Sequence, residues 1–107
     1  MLNNESMKEK KLKDILDVLS KRKLLLGDRF GVTDLAVFGS YARSKQGEAS
    51  DVDIFVELKK EFKTFDNFMD LKFFLEELLG NRRVDLLTKE SIRKEFRPKV
   101  FEEAVHV

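Results

Sequence analysis

The sequence predicts one small domain in which helices pack on a β-sheet, and three observations lead to this fold class. The chain has 107 residues, 42% of them hydrophobic and 38% charged, so it can bury one core but not two. Short apolar segments that end at Gly or at charged residues are typical of buried strands. Longer segments with apolar residues at helical spacing lie between them, in the order helix, strand, short helix, strand, helix, strand, helix.

Composition excludes several classes of protein. The formal net charge is only +1, whereas a generic nucleic-acid binder usually carries a strongly basic face. The chain has no Cys, so a disulfide scaffold, a thiolate zinc site and a Cys nucleophile are excluded. No apolar run approaches the roughly 18 residues of a membrane span, and the N-terminus lacks the apolar core of a secretory signal. We therefore expect a soluble, cytoplasmic protein with no membrane partner and no generic nucleic-acid binding.

The N-terminal part of the chain predicts a tail followed by a helix. Residues 1–7 are polar and are expected to be a disordered tail, which leaves a single domain over residues 8–107. The spacing of four apolar residues predicts a helix over about residues 8–26, with Gly27 and Gly31 flanking its end. These four residues are Leu12, Ile15, Leu16 and Leu19.

Two strands with a short helix between them follow. Residues 34–38 are apolar except for Asp34 and are followed by Gly39, which predicts a buried strand. Ser40 is expected to cap a short helix over about residues 41–44. A polar loop then leads into a second strand at residues 51–56. The roughly dozen residues between the two strands allow either a tight crossover or an antiparallel return.

The C-terminal half predicts a helix, a third strand and more helix. Residues 65–79 have a helical pattern, with Gly80 as the stop, and residues 83–87 predict the third strand. More helix is expected from Ser91. The only Pro of the chain suits the first turn of a last helix over about residues 98–105.

Two acidic residues at the start of the second strand are the first candidates for chemistry. Because side chains alternate along a strand, Asp51 and Asp53 project from the same face. Carboxylates this close repel each other unless a cation neutralises them, and oxygen ligands favour Mg²⁺, with Mn²⁺ fitting the same ligands. Asp85 could join the pair if its strand is a neighbour, and three carboxylates can hold two metal ions. A D-x-D sequence at a strand end is also common without any metal.

The turn after the first strand is the second candidate. Gly39 permits close approach of a ligand to the backbone, and Ser40 opens a short helix. Backbone N–H groups and the Ser40 hydroxyl could then hold the phosphates of a nucleotide, while the carboxylates hold the bridging metal. A plain turn with a helix cap is the commoner meaning of Gly-Ser after a strand.

Taken together, these residues resemble a known family. Gly39-Ser40, ten further residues and then Asp51-Val52-Asp53 resemble the G-S-x10-D-x-D signature of the DNA polymerase β nucleotidyltransferase superfamily. Nearly the whole chain is similar to the minimal nucleotidyltransferases, the antitoxin half of HEPN-MNT pairs. The similar stretches include residues 35–43, 50–56, 84–87 and 103–105. One departure is Ser44, where many relatives have Gly.

This resemblance implies both a fold and an activity. The fold is α+β, a small mixed β-sheet with helices packed on it. The activity is transfer of AMP from ATP to an acceptor hydroxyl with release of pyrophosphate. By family likeness Asp51 and Asp53 bind the metal ions, and Asp85 completes the site and acts as the general base. Gly39 and Ser40 would then hold the triphosphate.

Three arginines near these segments have weaker claims to a role. Arg43 could reach phosphate oxygens and is our third candidate for nucleotide binding, although exposed loop cations are more often solvated. Arg82 and Arg83 could serve phosphate, the acceptor or neither, and solvation is the favoured expectation.

Three functions are compatible with this likeness. The first is a protein adenylyltransferase that acts as an antitoxin by modifying a hydroxyl of a cognate HEPN toxin. The second is a non-catalytic module that neutralises the toxin by binding it. The third is a small-molecule nucleotidyltransferase of the antibiotic-modifying type. The surplus of apolar residues in the helix at residues 65–79 would serve a partner interface or a homo-oligomer as well as the core.

Overall fold

The computed structural model describes residues 4–43 and 51–107. It contains five helices and four strands within these residues, and 3-10 turns at Lys60–Phe62, Lys89–Ser91 and Lys94–Phe96. No helix in the described ranges is long and apolar enough to cross a membrane. The helices and strands are α1 (Asn4–Lys21), α2 (Lys23–Phe30), β1 (Val32–Phe38), α3 (Gly39–Ala42), β2 (Val52–Leu58), α4 (Phe65–Leu78), β3 (Val84–Thr88), α5 (Arg97–Glu103) and β4 (Val105–His106).

The strands form one mixed sheet in the order β3-β2-β1-β4. β1 pairs antiparallel with both β2 and β4, while β2 and β3 are parallel and are joined through α4. The α+β class with a small mixed sheet is therefore confirmed. Of the two connections that the sequence allows between the first two strands, the antiparallel return is the one observed.

One face of the sheet carries the main hydrophobic core. Every second residue of the strands points to this face, where α1, α2 and α4 supply the opposing side chains. Burial of these side chains is the main source of stability for so small a domain. The buried residues are Ile15, Leu19, Leu26, Phe30, Leu35, Val37, Tyr41, Val52, Ile54, Val56, Leu58, Leu71, Leu75, Leu79, Val84 and Leu86.

The opposite face carries a smaller core and the acidic residues. Ala36, Phe55 and Ile92 are buried there, with α5 packed against them through Val100. Alternation along β2 places Asp53, two residues before Phe55, on this same face. The sequence predicts one core only, and this second cluster is an addition to it.

The N-terminal helical region differs from the single helix predicted over residues 8–26. It begins at Asn4 and is divided at Arg22 into α1 and α2. α2 runs through Gly27 and ends at Phe30. Its C-cap is Gly31, whose φ of 72° is the left-handed conformation that favours glycine. Residues 4–7, predicted as part of a disordered tail, thus lie in a helix, residues 1–3 fall outside the described residues, and the domain division stays a prediction.

The short helix after β1 begins two residues earlier than predicted. α3 starts at Gly39, and its N-cap position is Phe38, with no side-chain hydrogen bond. Ser40 therefore lies inside the helix, and its predicted capping role is wrong. Ser44, the predicted end of this helix, lies outside the described residues, as does the predicted polar loop.

The C-terminal half agrees with the prediction except at its ends. The Thr64 hydroxyl caps the start of α4 by accepting a hydrogen bond from the Asn67 N–H at 3.1 Å. The helix ends at Leu78, and Gly80, predicted as its stop, follows with a φ of 74°. Where more helix was expected from Ser91, the chain forms 3-10 turns. The last helix ends at Glu103 because the next residues form β4, which pairs with Ala36 and Val37 of β1. The three predicted strands are confirmed, with ends shifted by one or two residues.

Candidate active site

Asp53 and Asp85 are brought together by the parallel pairing of β2 and β3. The two residues are direct partners in the strand register, so their side chains project from the same face. The Asp85 carboxyl group is one of the causes that raise the pKa of Asp53. The second and third strands are therefore neighbours, which is the condition under which Asp85 could join the pair, and their pairing places two acids side by side.

This arrangement changes the acidity of Asp53. Its pKa is raised from 3.8 to about 6, first by burial and then by the negative charges of Asp85 and Asp51. Arg43 opposes the shift and lies near enough to lower the pKa. The protein therefore holds an acidic group under electrostatic strain, which a bound cation would relieve.

Asp51 directly precedes β2 and is one of the charges that raise the pKa of Asp53. Its Oδ1 lies 3.9 Å from Nε of Arg83, and 44% of its side chain is exposed. Among the residues that the structure describes, no three side chains of His, Cys, Asp or Glu lie close enough together to hold a metal ion as they stand. The donor chemistry still fits Mg²⁺, because the three side chains offer only carboxylate oxygens and two of them adjoin.

Gly39 packs directly against the Asp53 carboxylate. Its φ is 71°, and a Cβ at this position would lie 2.9 Å from Cγ of Asp53 and still closer to Oδ2. The positive φ therefore favours glycine, and any Cβ here would force the Asp53 carboxylate to shift. The Gly-Ser turn, which the sequence suggests as a phosphate site, thus borders the acidic pair, and half-buried Ser40 follows at once.

Arg43 follows α3 and is tied to the C-terminal helix. Its Nη1 lies 3.4 Å and 3.3 Å from Oε1 and Oε2 of Glu103. The Arg43 side chain is 42% exposed, whereas that of Glu103 is 19% exposed. Sequence reasoning assigned no role to Glu103, although it begins one of the stretches similar to the family.

A second arginine connects the two sides of the site. Tyr41 is fully buried, and its hydroxyl accepts a hydrogen bond from Nη1 of Arg82. The guanidinium also lies over the Tyr41 ring, 5.9 Å from its centroid. The expectation that Arg82 is solvated is therefore wrong. Because Tyr41 follows Ser40 and Arg82 precedes β3, this contact links the Gly-Ser turn to the strand that carries Asp85.

Comparisons with known proteins agree with this geometry. Residues 10–107 match the family model described as nucleotidyltransferase domain. The protein adenylyltransferase MntA of Thermococcus cleftensis is 42% identical over 96 residues, which cover 90% of this chain and 95% of MntA. The Methanocaldococcus jannaschii protein MJ1379 is 42% identical over 95 residues, which cover 88% of this chain and 94% of that protein.

Solved structures have the same fold. A structure assigned as a minimal nucleotidyltransferase aligns with a TM-score of 0.70 at 33% identity, covering 85% of this chain and 93% of that one. A toxin-antitoxin structure with AMP-PNP aligns with a TM-score of 0.62 at 21% identity, covering 89% of this chain and 70% of that one. At this lower identity the second likeness concerns the fold alone.

The contact between Gly39 and Asp53 predicts the effect of a single methyl group. Gly39→Ala should lower the free energy of unfolding by about 2–4 kcal/mol, because it adds a steric clash to the strain of a positive φ. Gly80→Ala is the matched control, since Gly80 has a φ of 74° and a Cβ there would meet nothing within 4 Å. It should cost only about 1 kcal/mol. Urea unfolding measures both.

A third variant isolates the steric part of this loss. In an Asp53→Ala background, the cost of Gly39→Ala should shrink toward that of Gly80→Ala, because the carboxylate is gone. An unchanged cost in that background would show that the close contact does not exist.

The raised pKa of Asp53 predicts a pH-dependent stability. A carboxyl whose pKa is higher in the folded state contributes stability that is present below its unfolded pKa, near 4, and is lost as the pH rises through about 6. In metal-free buffer, the free energy of unfolding of Asp53→Asn relative to that of the wild type should therefore rise by about 1–2 kcal/mol from pH 4 to pH 7. This value is reduced because the Asp53 side chain is partly exposed.

Urea unfolding at both pH values measures this gain. The control is Asp70→Asn, which makes the same change at an exposed position of α4 and should show no such gain. An equal stability difference between Asp53→Asn and the wild type at pH 4 and pH 7 would contradict the electrostatic account of the pair.

Proposed function

Because this chain belongs to the nucleotidyltransferase domain family, we propose that it transfers AMP from ATP to a hydroxyl group of a partner protein. The observation that carries the proposal is the Asp53 and Asp85 pair with Gly39 packed against it. This arrangement has an acidic centre suited to a divalent cation next to a turn suited to phosphate, and a nucleoside triphosphate with its metal ion needs both.

The reaction requires one bond to form and one to break. The acceptor oxygen attacks the α-phosphorus of ATP, the bond from this phosphorus to the oxygen bridging to the β-phosphate breaks, and pyrophosphate leaves. The acceptor is thereby joined to AMP, and its hydroxyl proton must be taken up. Asp85 is our candidate for this general base, because it is exposed on an edge strand where an incoming hydroxyl can reach it.

The acidic residues have a second task. Asp51, Asp53 and Asp85 would hold Mg²⁺, with Mn²⁺ as an alternative, and two ions are expected. A bound divalent cation supplies charge neutralisation at the attacking and leaving oxygens. Asp53 borders both Asp85 and the Gly39 turn and can serve either side, so we expect its loss to be the most damaging of the three.

The phosphates would be held on the β1 side of Asp53. Gly39 offers its backbone beside Asp53, Ser40 offers a hydroxyl, and Arg43 offers a guanidinium whose charge acts on the acidic pair. Positioning and charge neutralisation by such groups provide most of the catalysis in phosphoryl transfer. No covalent intermediate on the protein is needed.

We propose a protein as the acceptor on the strength of the relatives. This chain matches 95% of the length of MntA, which is named a protein adenylyltransferase. One solved structure with the same fold is that of the toxin-antitoxin MntA-HpeT. We therefore propose a HEPN-type toxin as the partner, with this protein as its antitoxin, acting in the cytoplasm where ATP is available.

A non-catalytic antitoxin is the second candidate function. It would use the same partner surface but would not need the acidic pair. A carboxyl group with its pKa raised to about 6 disfavours this alternative, because a merely structural site gains nothing from repelling carboxylates. A small-molecule nucleotidyltransferase is the third candidate and would share the site but not the protein acceptor.

Transfer of label from ATP tests the proposal. The protein is incubated with α-labelled ATP, Mg²⁺ and the proposed HEPN-type partner, and label on this HEPN protein is measured. We expect labelling by the wild type and a decrease of about 100-fold or more for Asp53→Asn and Asp85→Asn, because both remove a charge at the reacting centre. Asp70→Asn, the exposed control, should label normally.

Other outcomes separate the three candidate functions. Stable binding of the HEPN protein without any label, and full protection of cells by Asp53→Asn, would identify the non-catalytic antitoxin. Label on a small hydroxyl compound but on no protein would identify the third candidate.

A further inference from the structure

We propose that Glu103 is a positioning residue of the nucleotide site, which acts by holding Arg43 in place for the triphosphate. This inference rests on the proposed nucleotide site and adds to it a residue sixty positions away in the sequence. It is carried by the ion pair between the two side chains, by the short helix α3 that joins Arg43 to the contact of Gly39 with Asp53, and by the part of the guanidinium that the ion pair uses.

The ion pair joins the phosphate side of the site to the last helix. Arg43 directly follows α3, and Glu103 is the last residue of α5, after which the chain pairs with β1 as β4. Both carboxylate oxygens of Glu103 lie within 3.4 Å of Nη1 of Arg43. Because Glu103 is only 19% exposed and its helix is fixed by β4, it is the better anchored of the two partners.

Arg43 is a flexible side chain that needs such an anchor. A long side chain that is 42% exposed samples several rotamers in solution, and fixing it on ligand binding costs affinity. A partner that already holds the guanidinium reduces this cost. Arg43 directly follows α3, and α3 begins at Gly39, which packs against the Asp53 carboxylate. The held guanidinium therefore follows the segment that borders the acidic pair.

The geometry of the pair leaves the rest of the guanidinium available. Both contacts to Glu103 use Nη1 alone, and within the described part of the chain Nε and Nη2 donate to no other side chain. These two nitrogens form the edge of the fork that binds a phosphate group through two parallel hydrogen bonds. Glu103 thus supports one corner of Arg43 and does not compete for the phosphate-binding edge.

Binding of ATP to the free protein tests this role without any acceptor. The dissociation constant for ATP with Mg²⁺ is measured by titration calorimetry for the wild type, Glu103→Gln and Glu102→Gln. Glu102 is the matched control, because it is the preceding residue of the same helix and is exposed. We expect Glu103→Gln to weaken binding by about three- to tenfold and Glu102→Gln to leave it unchanged.

A double-mutant cycle shows whether Glu103 acts through Arg43. Arg43→Gln should weaken ATP binding, and adding Glu103→Gln to it should weaken binding no further, because the residue being positioned is already gone. A purely structural role would give a further loss in the double variant together with a lowered melting temperature. Melting temperatures of the single variants within about 2 °C of the wild type are expected.

Two remaining outcomes contradict either the positioning role of Glu103 alone or the proposed function together with it. Unchanged or tighter ATP binding by Glu103→Gln overturns the positioning role, since Glu103 would then be neutral or would repel the phosphates. If the wild type itself does not bind ATP with Mg²⁺, the proposed function fails and the inference fails with it.

Discussion

The repulsion between Asp53 and Asp85 is the constraint on which the site depends. Parallel pairing of β2 and β3 forces these residues to adjoin, and burial deprives Asp53 of the water that would otherwise screen it. The fold maintains this unfavourable contact through the large core on the other face of the sheet, which has ample hydrophobic burial to offset it. Stored electrostatic strain of this kind is characteristic of sites that bind cations or perform acid-base chemistry.

One face of the sheet carries the main core, which stabilises the fold, and the other face carries the acidic pair. Strand alternation sends Val52, Ile54 and Val56 into the main core and leaves Asp53 on the opposite face. Phe55 and Ile92 are buried near the middle of that second face. The acidic pair lies toward the end of the sheet where β2 begins. Two contacts then tie the surrounding segments to this end, the partly buried hydrogen bond of Tyr41 with Arg82 and the ion pair of Arg43 with Glu103.

Much of this arrangement could be predicted from local sequence. The three longer strands follow from apolar segments between Gly and charged residues, and the face on which Asp53 lies follows from alternation alone. What could not be predicted depends on contacts distant in the sequence. β4 has only two residues and exists because β1 pairs with it, and no local pattern marks Glu103 as the partner of Arg43. The sequence predicts that Gly39 allows a ligand to approach the backbone, whereas in the structure its missing Cβ leaves space for the Asp53 carboxylate.

The central claim is that Asp53 and Asp85 form a strained carboxylate pair suited to a divalent cation. Its most direct test is a carbon-detected NMR titration of the aspartate carboxyl groups, performed without metal and again with Mg²⁺. We predict that Asp53 titrates with a pKa of about 6 in the metal-free protein and that Mg²⁺ lowers this pKa. A pKa near the ordinary value of about 4 in both titrations, with no response to Mg²⁺, would contradict the claim.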